Sequence, residues 1–209
     1  MSEKEELKEK ISELTQFPYK ERKENYQSYY IDGTEVDGAR DTLKRMELMV
    51  MNEDMTNLNI LDLGCNLGSI CCESWKRGAR LIMGLDYEKD YIDCARDLAR
   101  HNGYNINYMV KDLTKINDTT IYVKSFFDRS IDIVFALSLY KHIKGTLFDV
   151  LNRLSWHMCI IESNNAPEGE DTPHCQEIIN HIKKLGWKYE LMGVDTTRSK
   201  RCVWKVTKK

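Results

Sequence analysis

Two glycines, Gly64 and Gly68, close an apolar run in the segment ILDLGCNLGSI (60–70), with Asp62 inside the run and Cys65 and Asn66 between the glycines. A strand that ends in such a turn and feeds a helix offers backbone N–H groups to a nucleotide-like cofactor. The spacing selects among cofactors. A dinucleotide turn needs G-x-G-x-x-G, and counting from Gly64 its second and third glycine positions hold Asn66 and Ser69. A phosphate loop needs Gly-Lys-Ser/Thr at the helix start, and none follows. A better fit is a ligand with a carboxylate near the helix opened by Gly68, an ammonium near Asp62, and a ribose. Asp86, in GLDYEKD, stands at the end of the next apolar run beside Tyr87, where an acid would meet a ribose diol or cap the following helix. Asp112, followed by Leu113 in VKDL, stands beyond the third run, where an adenine amino group wants an acceptor.

These residues need a scaffold. Apolar runs occur at 59–64, 80–86, 106–110, 132–138, 158–163, 189–194 and 202–206, and helical patterns lie near 68–78, 89–102, 143–156 and 172–185. Runs without polar alternation read as strands covered on both faces. Strand–helix alternation predicts a doubly wound, mostly parallel α/β sheet of seven strands. The loop from Asp195 to Arg201 is too short for a crossover helix, so the last two strands should form an antiparallel hairpin. Upstream, residues 2–15 carry Leu7, Ile11 and Leu14 at helical spacing, Asp32-Gly33 marks a turn, and a second helix is expected from about Ala39. We divide the chain into an N-terminal helical lid segment, 1–52, and a cofactor-binding domain, 53–209.

The segments LDLGCNLG, GLD, VKDL and DIVFALSLYKHI (132–143) together resemble the motifs of the class I S-adenosylmethionine-dependent methyltransferases, in their order and spacing. The resemblance covers about residues 57–206 and implies a Rossmann-like fold, S-adenosylmethionine as cofactor and methyl transfer as the reaction. It places Asp62, Gly64, Cys65, Asn66, Gly68, Asp86, Tyr87, Asp112, Leu113 and Leu137 around the cofactor. Asn66 departs from the family, where glycine is common. Methyl transfer requires chiefly alignment of the acceptor with the S–CH3 bond, with acid–base help only where the acceptor must lose a proton. Tyr140, His142 and Glu162 are the candidate catalytic residues. His142 reads as a general base or a helix cap, and Glu162 as a ligand for an amine or hydroxyl, or as an acid paired with a Lys or Arg. Tyr29, Tyr30, Arg40, Asn164 and Arg198 are candidates for binding the acceptor, which we expect to be a small molecule. The tyrosines could equally anchor the N-terminal helix.

A narrower similarity runs through YQSYYIDGTEVDGARDTL (26–43), SLYKHI and RSKRCVWKV to the carboxymethyltransferases of the tRNA wobble uridine. It implies that Tyr140 and Arg198 or Arg201 face an additional cofactor carboxylate, with Lys20 or Arg40 in support. This chain lacks the long N-terminal region of those enzymes. The C-terminal stretch RSKRCVWKVTKK, basic and with Trp204 interleaved, reads as an RNA contact or as an edge strand whose lysines discourage aggregation. A third reading is a catalytically silent cofactor-binding subunit.

Composition sets the outer bounds. The 209 residues are 42% hydrophobic and 31% charged, with formal net charge -2, which argues against a surface built wholly for nucleic acid. Seven scattered cysteines in an odd number predict reduced thiols and a cytoplasmic location. Neither a zinc-ligand spacing nor a membrane-length apolar run occurs, so no metal and no membrane partner are expected.

Overall fold

The chain opens with helix α1 (Glu3–Thr15), an antiparallel hairpin of β1 (Tyr29–Ile31) and β2 (Thr34–Val36), and helix α2 (Thr42–Leu48). Strands and helices then alternate: β3 (Asn59–Leu63), α3 (Ser69–Lys76), β4 (Leu81–Asp86), α4 (Lys89–His101), β5 (Asn107–Val110) and α5 (Ile116–Phe126). After these come β6 (Ile131–Leu137), α6 (Tyr140–Ile143), α7 (Thr146–Arg153), β7 (Trp156–Glu162), α8 (Pro173–Lys184), β8 (Lys188–Asp195) and β9 (Arg201–Thr207). The structure, a computed structural model, describes residues 2–15, 27–49, 54–196 and 199–208. The seven strands from β3 to β9 form one sheet in the order β5-β4-β3-β6-β7-β9-β8, parallel from β5 to β7 and antiparallel at β9.

Every apolar run of the sequence is a strand of this sheet; those at its centre, such as β3, are covered on both faces, whereas the edge strands β5 and β8 leave Val110 and Leu191 exposed. Within β3, Leu61 and Leu63 pack on one side with Val123 of α5, Leu147 of α7 and Ile178 of α8. Ile60 turns the other way, toward Met46 of α2, Ile70 of α3 and Ile92 of α4. The period-2 alternation of a strand thus divides the core into two layers. Burying each such Ile or Leu side chain contributes about 1.5–3 kcal/mol.

Three expectations need correction. Helix α5 had no counterpart in the sequence reading: its inward face carries Thr119 and Thr120 beside Val123, so hydroxyls blur the apolar stripe. The helix expected over 143–156 is α7, which begins only at Thr146 and ends at Arg153; a separate short helix, α6, precedes it, and Lys144, which has φ 49, and Gly145 part the two. Strand β9 is not an edge strand. It lies between β7 and β8, Trp204 is wholly buried, and its Nε1 donates to Glu170 Oε1 at 2.7 Å. Lys208 is also spent internally, donating to the carbonyls of Leu151 and Leu154.

The N-terminal segment is fixed to the sheet domain by packing and by polar contacts. Leu7 and Ile11 of α1 bury against Cys94 and Leu98 of α4 together with Tyr29 and Ile31. Lys10 pairs with Asp97 at 2.7 Å, and Asp32 accepts from Lys4 at 2.6 Å. Asp32 and Gly33 both have positive φ, the backbone of a tight two-residue hairpin. The side chain of Asp41 accepts from Lys44 N at 3.0 Å and starts α2 at Thr42, slightly later than expected.

In this topology β3 and β6 are neighbours whose connections leave in opposite directions. That is the switch point at which open α/β sheets bind ligands beyond their carboxyl ends. Asp62, Asp86, Leu137 and Glu162 all fall at the carboxyl ends of adjacent strands.

Candidate active site

Beyond β3 the chain turns sharply. Gly64, Asn66 and Gly68 have φ of 76, 52 and 76, so three residues of one short turn adopt the left-handed conformation. Asparagine tolerates that conformation, which explains how Asn66 occupies a position where the methyltransferases that the sequence resembles commonly carry glycine. Its Oδ1 accepts from Leu67 N at 2.9 Å, and its backbone N–H donates to Asp86 Oδ2 at 2.9 Å. Asp86 also accepts from Glu88 N at 3.1 Å. One carboxylate therefore ties the glycine turn to the end of β4. Burial pushes the Asp86 carboxyl up, and the backbone N–H donors oppose the shift. Tyr87 beside it is 67% exposed, a free aromatic face at the rim.

Gly68 caps α3 with its left-handed backbone. Beneath it lies Tyr108 of β5, which is wholly buried and whose hydroxyl donates to Gly68 O at 3.1 Å. A Cβ on Gly68 would stand 2.1 Å from that hydroxyl oxygen, and one on Gly84 of β4 would stand 2.7 Å from the same ring. Tyr108 is thus the floor of the turn, a residue that sequence reasoning missed because it reads as one more apolar strand position.

Asp62 is 3% exposed on β3. Burial pushes its carboxyl up to about 7, opposed by the Arg45 charge and by the Cys71 thiol, which donates to Oδ2 at 3.7 Å. A buried carboxylate of this kind destabilises the free protein as pH rises from its unfolded value near 3.8 to about 7. Asp62→Asn should therefore raise the melting temperature of the free protein at pH 8 by several degrees, with little change at pH 4, measured by circular dichroism. An unchanged melting temperature at pH 8 would show that the carboxylate is not strained.

Asp112 is fully exposed and accepts from Thr114 N at 2.9 Å and Thr114 Oγ1 at 2.6 Å, contacts that hold its carboxyl low. Leu113 is buried, Leu137 is half-buried at the end of β6, and Cys65 is buried with its thiol pushed up by burial. The structure brings the ten residues selected for the cofactor to the ends of β3, β4, β5 and β6.

The ends of β6 and β7 hold a different device. Glu162 is 1% exposed and receives Arg40 Nη2 at 2.7 Å and Arg45 Nε and Nη2 at 3.2 Å each. Arg201 Nη1 approaches to 3.6 Å, and Ser138 Oγ donates to Glu162 Oε2. Arg40 also pairs with Asp195 at 2.9 Å. Burial opposes the charge on Glu162, but Arg45 and Arg40 prevail and hold its carboxyl at about 2. This is the paired-acid arrangement, in which Glu162 is a fixed anion with no tendency to take up a proton. Ser138 sits at the centre: its φ is 59, Arg201 donates to its hydroxyl, and the Asn164 side chain donates to its carbonyl. A serine in the left-handed region is a strained position of the kind that clusters at functional sites. Neither Ser138 nor Arg45 was selected from the sequence, since their partners lie 24 and 117 residues away.

The other acceptor-side candidates fall elsewhere. Tyr140 is buried, its ring against Phe148, His174 and His181 and its hydroxyl 3.5 Å from Glu177. These contacts run toward α7 and α8, not toward Glu162. His142 lies on the exposed side of α6. Asn164 clamps the turn after β6, accepting from Lys141 N at 2.9 Å while its own backbone N–H donates to His174 Nε2 at 3.3 Å. Tyr29 and Tyr30 are buried, with Tyr29 in the α1 cluster and Tyr30 under the Lys76 ammonium at 4.0 Å. Arg40 is in the buried cluster. Arg198 and Lys20 lie outside the described residues.

Comparison with known proteins agrees with this geometry. Residues 60–157 match the family described as Methyltransferase domain. The ubiquinone biosynthesis O-methyltransferase of Rickettsia conorii is 26% identical over 106 residues, covering 51% of this chain and 33% of that enzyme. The bifunctional kinase-methyltransferase WbdD of Escherichia coli superposes with a TM-score of 0.65 at 23% identity, covering 82% of this chain and 40% of that one. Magnesium protoporphyrin IX methyltransferase of Synechocystis PCC 6803 with bound S-adenosylmethionine superposes with a TM-score of 0.61 at 14% identity, over 100% and 98% of the two chains. The match spans about a third of the length of the Rickettsia enzyme. Among the described residues no helix is long and apolar enough to cross a membrane.

Proposed function

From a chain that carries a methyltransferase domain of the class I S-adenosylmethionine-dependent kind, we propose an enzyme that transfers the methyl group of S-adenosylmethionine to a small-molecule acceptor. The observation that carries this reading is the hydrogen bond from Asn66 N to Asp86 Oδ2, which locks a three-residue left-handed turn against an acid at the next strand end. That arrangement fits a nucleoside with an amino-acid arm. Asp86 Oδ1 and Oδ2 face a ribose diol, Tyr87 offers its ring to the base, and Leu113 backs it. Asp62 meets the ammonium, and its buried carboxyl, raised to about 7, is a group whose charge such a cation would stabilise. The N-terminus of α3 at Gly68 meets the carboxylate. When bound, the cofactor supplies a methyl group on a sulfonium; the protein's own part is alignment and exclusion of water.

A small acceptor is favoured by the cover over the strand ends. Ser69 Oγ donates to Ser28 O, and Arg40 and Arg45 reach down from the lid segment to Glu162. With the described residues of the N-terminal segment, 2–15 and 27–49, acting as a lid, a compact molecule enters more readily than a folded macromolecule.

Thermal unfolding with S-adenosylmethionine, S-adenosylhomocysteine, carboxy-S-adenosylmethionine and NAD tests the proposal. The first two, at about a hundred times their dissociation constants, should each add roughly 2.7 kcal/mol, and NAD should add nothing. A response to NAD alone would refute the cofactor assignment, and a preference for the carboxylated form would replace methyl by carboxymethyl transfer.

A further inference from the structure

The glycine turn after β3 is held in two different ways. On the β4 side it is tied by hydrogen bonds: Gly64 N and Cys65 N donate to Leu85 O at 2.7 Å and 3.0 Å, and Asn66 N donates to Asp86. On the β6 side it is met by an apolar side chain. A Cβ on Gly64 would stand 3.1 Å from Leu139 Cδ1, and the three atoms nearest to it all belong to Leu139. Leu139 is 9% exposed and follows Ser138 in the turn that leads into α6. A van der Waals contact of this kind has no direction of its own. The place of Leu139 against Gly64 therefore depends on what fixes the backbone of the turn that carries it.

That backbone is fixed from β7. Ser138 N donates to Glu162 O at 3.0 Å, and the Ser138 hydroxyl donates to the Glu162 carboxylate. The next anchor is Asn164. Its Nδ2 donates to Ser138 O, and its Oδ1 accepts from Lys141 N at 2.9 Å, so one planar amide brackets Leu139 and Tyr140 from both ends. Ser138 has φ 59, a conformation that a residue with a Cβ keeps only where its surroundings impose it. Asn164 itself stands on firm ground. Its backbone N–H donates to His174 Nε2 of α8 at 3.3 Å. The preceding Ser163 donates from N to Cys202 O of β9 at 2.9 Å and accepts from Cys202 N on Oγ at 3.0 Å.

Resting on the methyltransferase reading, we infer that Asn164 is a positioning residue of that reaction. Its amide sets the turn 138–141, the turn presses Leu139 on Gly64, and Leu139 fixes the β6 side of the glycine turn. Both atoms of the amide are engaged with the turn, so Asn164 acts through Leu139 and does not itself hold the acceptor. Methyl transfer depends on alignment, and a site of this kind must be held to within about 0.5 Å by residues behind those that touch the ligand. A turn that lets Leu139 drift relaxes that alignment.

The test uses the full chain and needs no acceptor. Two quantities are measured: the dissociation constant of S-adenosylhomocysteine by titration calorimetry, and the carbon resonance of an isotopically labelled methyl group on bound S-adenosylmethionine. Leu139→Ala and Asn164→Ala should each weaken S-adenosylhomocysteine by about twofold or more, the lower end of coupling between residues in contact. Both should move the methyl resonance in the same direction. The double variant Leu139→Ala/Asn164→Ala should match Leu139→Ala alone in both quantities, because without Leu139 the amide has nothing left to position. Asn164→Asp keeps the acceptor for Lys141 N and loses the donor to Ser138 O; it should fall between wild type and Asn164→Ala, and it takes the place of Asn164→Ala should that variant not fold. Unchanged affinity and resonance in a folded Asn164 variant overturn the inference. So do losses that simply add in the double variant, since Asn164 would then act by another route. In either case the methyltransferase reading stands. If the wild type binds neither S-adenosylmethionine nor S-adenosylhomocysteine, that reading falls first and the inference falls with it.

Discussion

Glu162→Gln should lower folding stability by about 3–5 kcal/mol, measured by urea unfolding at pH 7. The change is nearly isosteric, so packing is kept and only charge is removed. Arg40 keeps its pair with Asp195, while Arg45 and Arg201 lose the carboxylate they face, in a place where the side chains of Arg40, Arg45 and Glu162 are at most 5% exposed. Removing one partner of a buried pair is costly because the charge left behind has lost both its water and its counterion. The Ser138 hydroxyl loses its acceptor as well. The linkage with pH gives an independent check. The folded carboxyl at about 2 lies below its unfolded value of 4.5. Its contribution is fully present above pH 4.5 and is lost as pH falls from 4.5 toward 2. Asp62 acts with the opposite sign between 3.8 and about 7. Wild-type stability should therefore fall steeply on acidification below pH 4.5, and Glu162→Gln should flatten that limb. A loss below about 1 kcal/mol with an unaltered acid limb would mean that the arginines are not held by this carboxylate.

The half of the candidate site proposed for the cofactor could be read from the sequence because its determinants are local. The turn, its glycines and the acid that ends β4 all lie between Asp62 and Asp86, and the physical constraint on each is short-range: a left-handed backbone, a strand end, a helix start. The seven strands were legible for the same reason, since an uninterrupted apolar run is a local signal; it marks double-sided burial at the centre of the sheet, and the half-exposed edge strands β5 and β8 carried enough apolar residues to be read with the rest. The acceptor half was legible only in fragments. Arg40 and Glu162 were selected, but as separate groups with separate roles; what joins them is a contact across 122 residues that no spacing rule reaches. Tyr140 and His142 follow β6 in sequence, yet the short helix α6 turns Tyr140 into the layer of α7 and α8 and leaves His142 on the outside. Ser138 carries no signal of its own in the sequence, and only the backbone at φ 59 and the Arg201 and Asn164 contacts mark it. The N-terminal segment was expected as a lid. Its described parts include the two arginines that reach Glu162 at the strand ends, a contact beyond the cover that was expected of it.

Gly68→Ala should destabilise the protein by roughly 2–5 kcal/mol and abolish cofactor stabilisation, and the two effects have separable causes. The backbone at φ 76 costs an L-residue about 1–2 kcal/mol. The remainder is steric: the new methyl would sit 2.1 Å from the Tyr108 hydroxyl oxygen and 2.5 Å from two ring carbons. Tyr108 cannot swing away, because it is 2% exposed and already fills the space over Gly84, where a Cβ would stand 2.7 Å from the ring. The turn must therefore rise, and as it rises it pulls Asn66 N away from Asp86, the acid proposed to hold the ribose. A double-mutant cycle separates the two causes. Tyr108→Leu alone should cost about 1–3 kcal/mol through the cavity and the lost hydrogen bond to Gly68 O. In Gly68→Ala/Tyr108→Leu the steric part should vanish, so the double variant should be more stable than the sum of the single losses by about 1–3 kcal/mol. The backbone part should remain. Urea unfolding gives the coupling, and thermal shift with S-adenosylhomocysteine reports whether the turn has returned to its place. Strict additivity of the two losses would show that Tyr108 is not the floor against which the turn is set, and the binding defect of Gly68→Ala would then belong to backbone conformation alone.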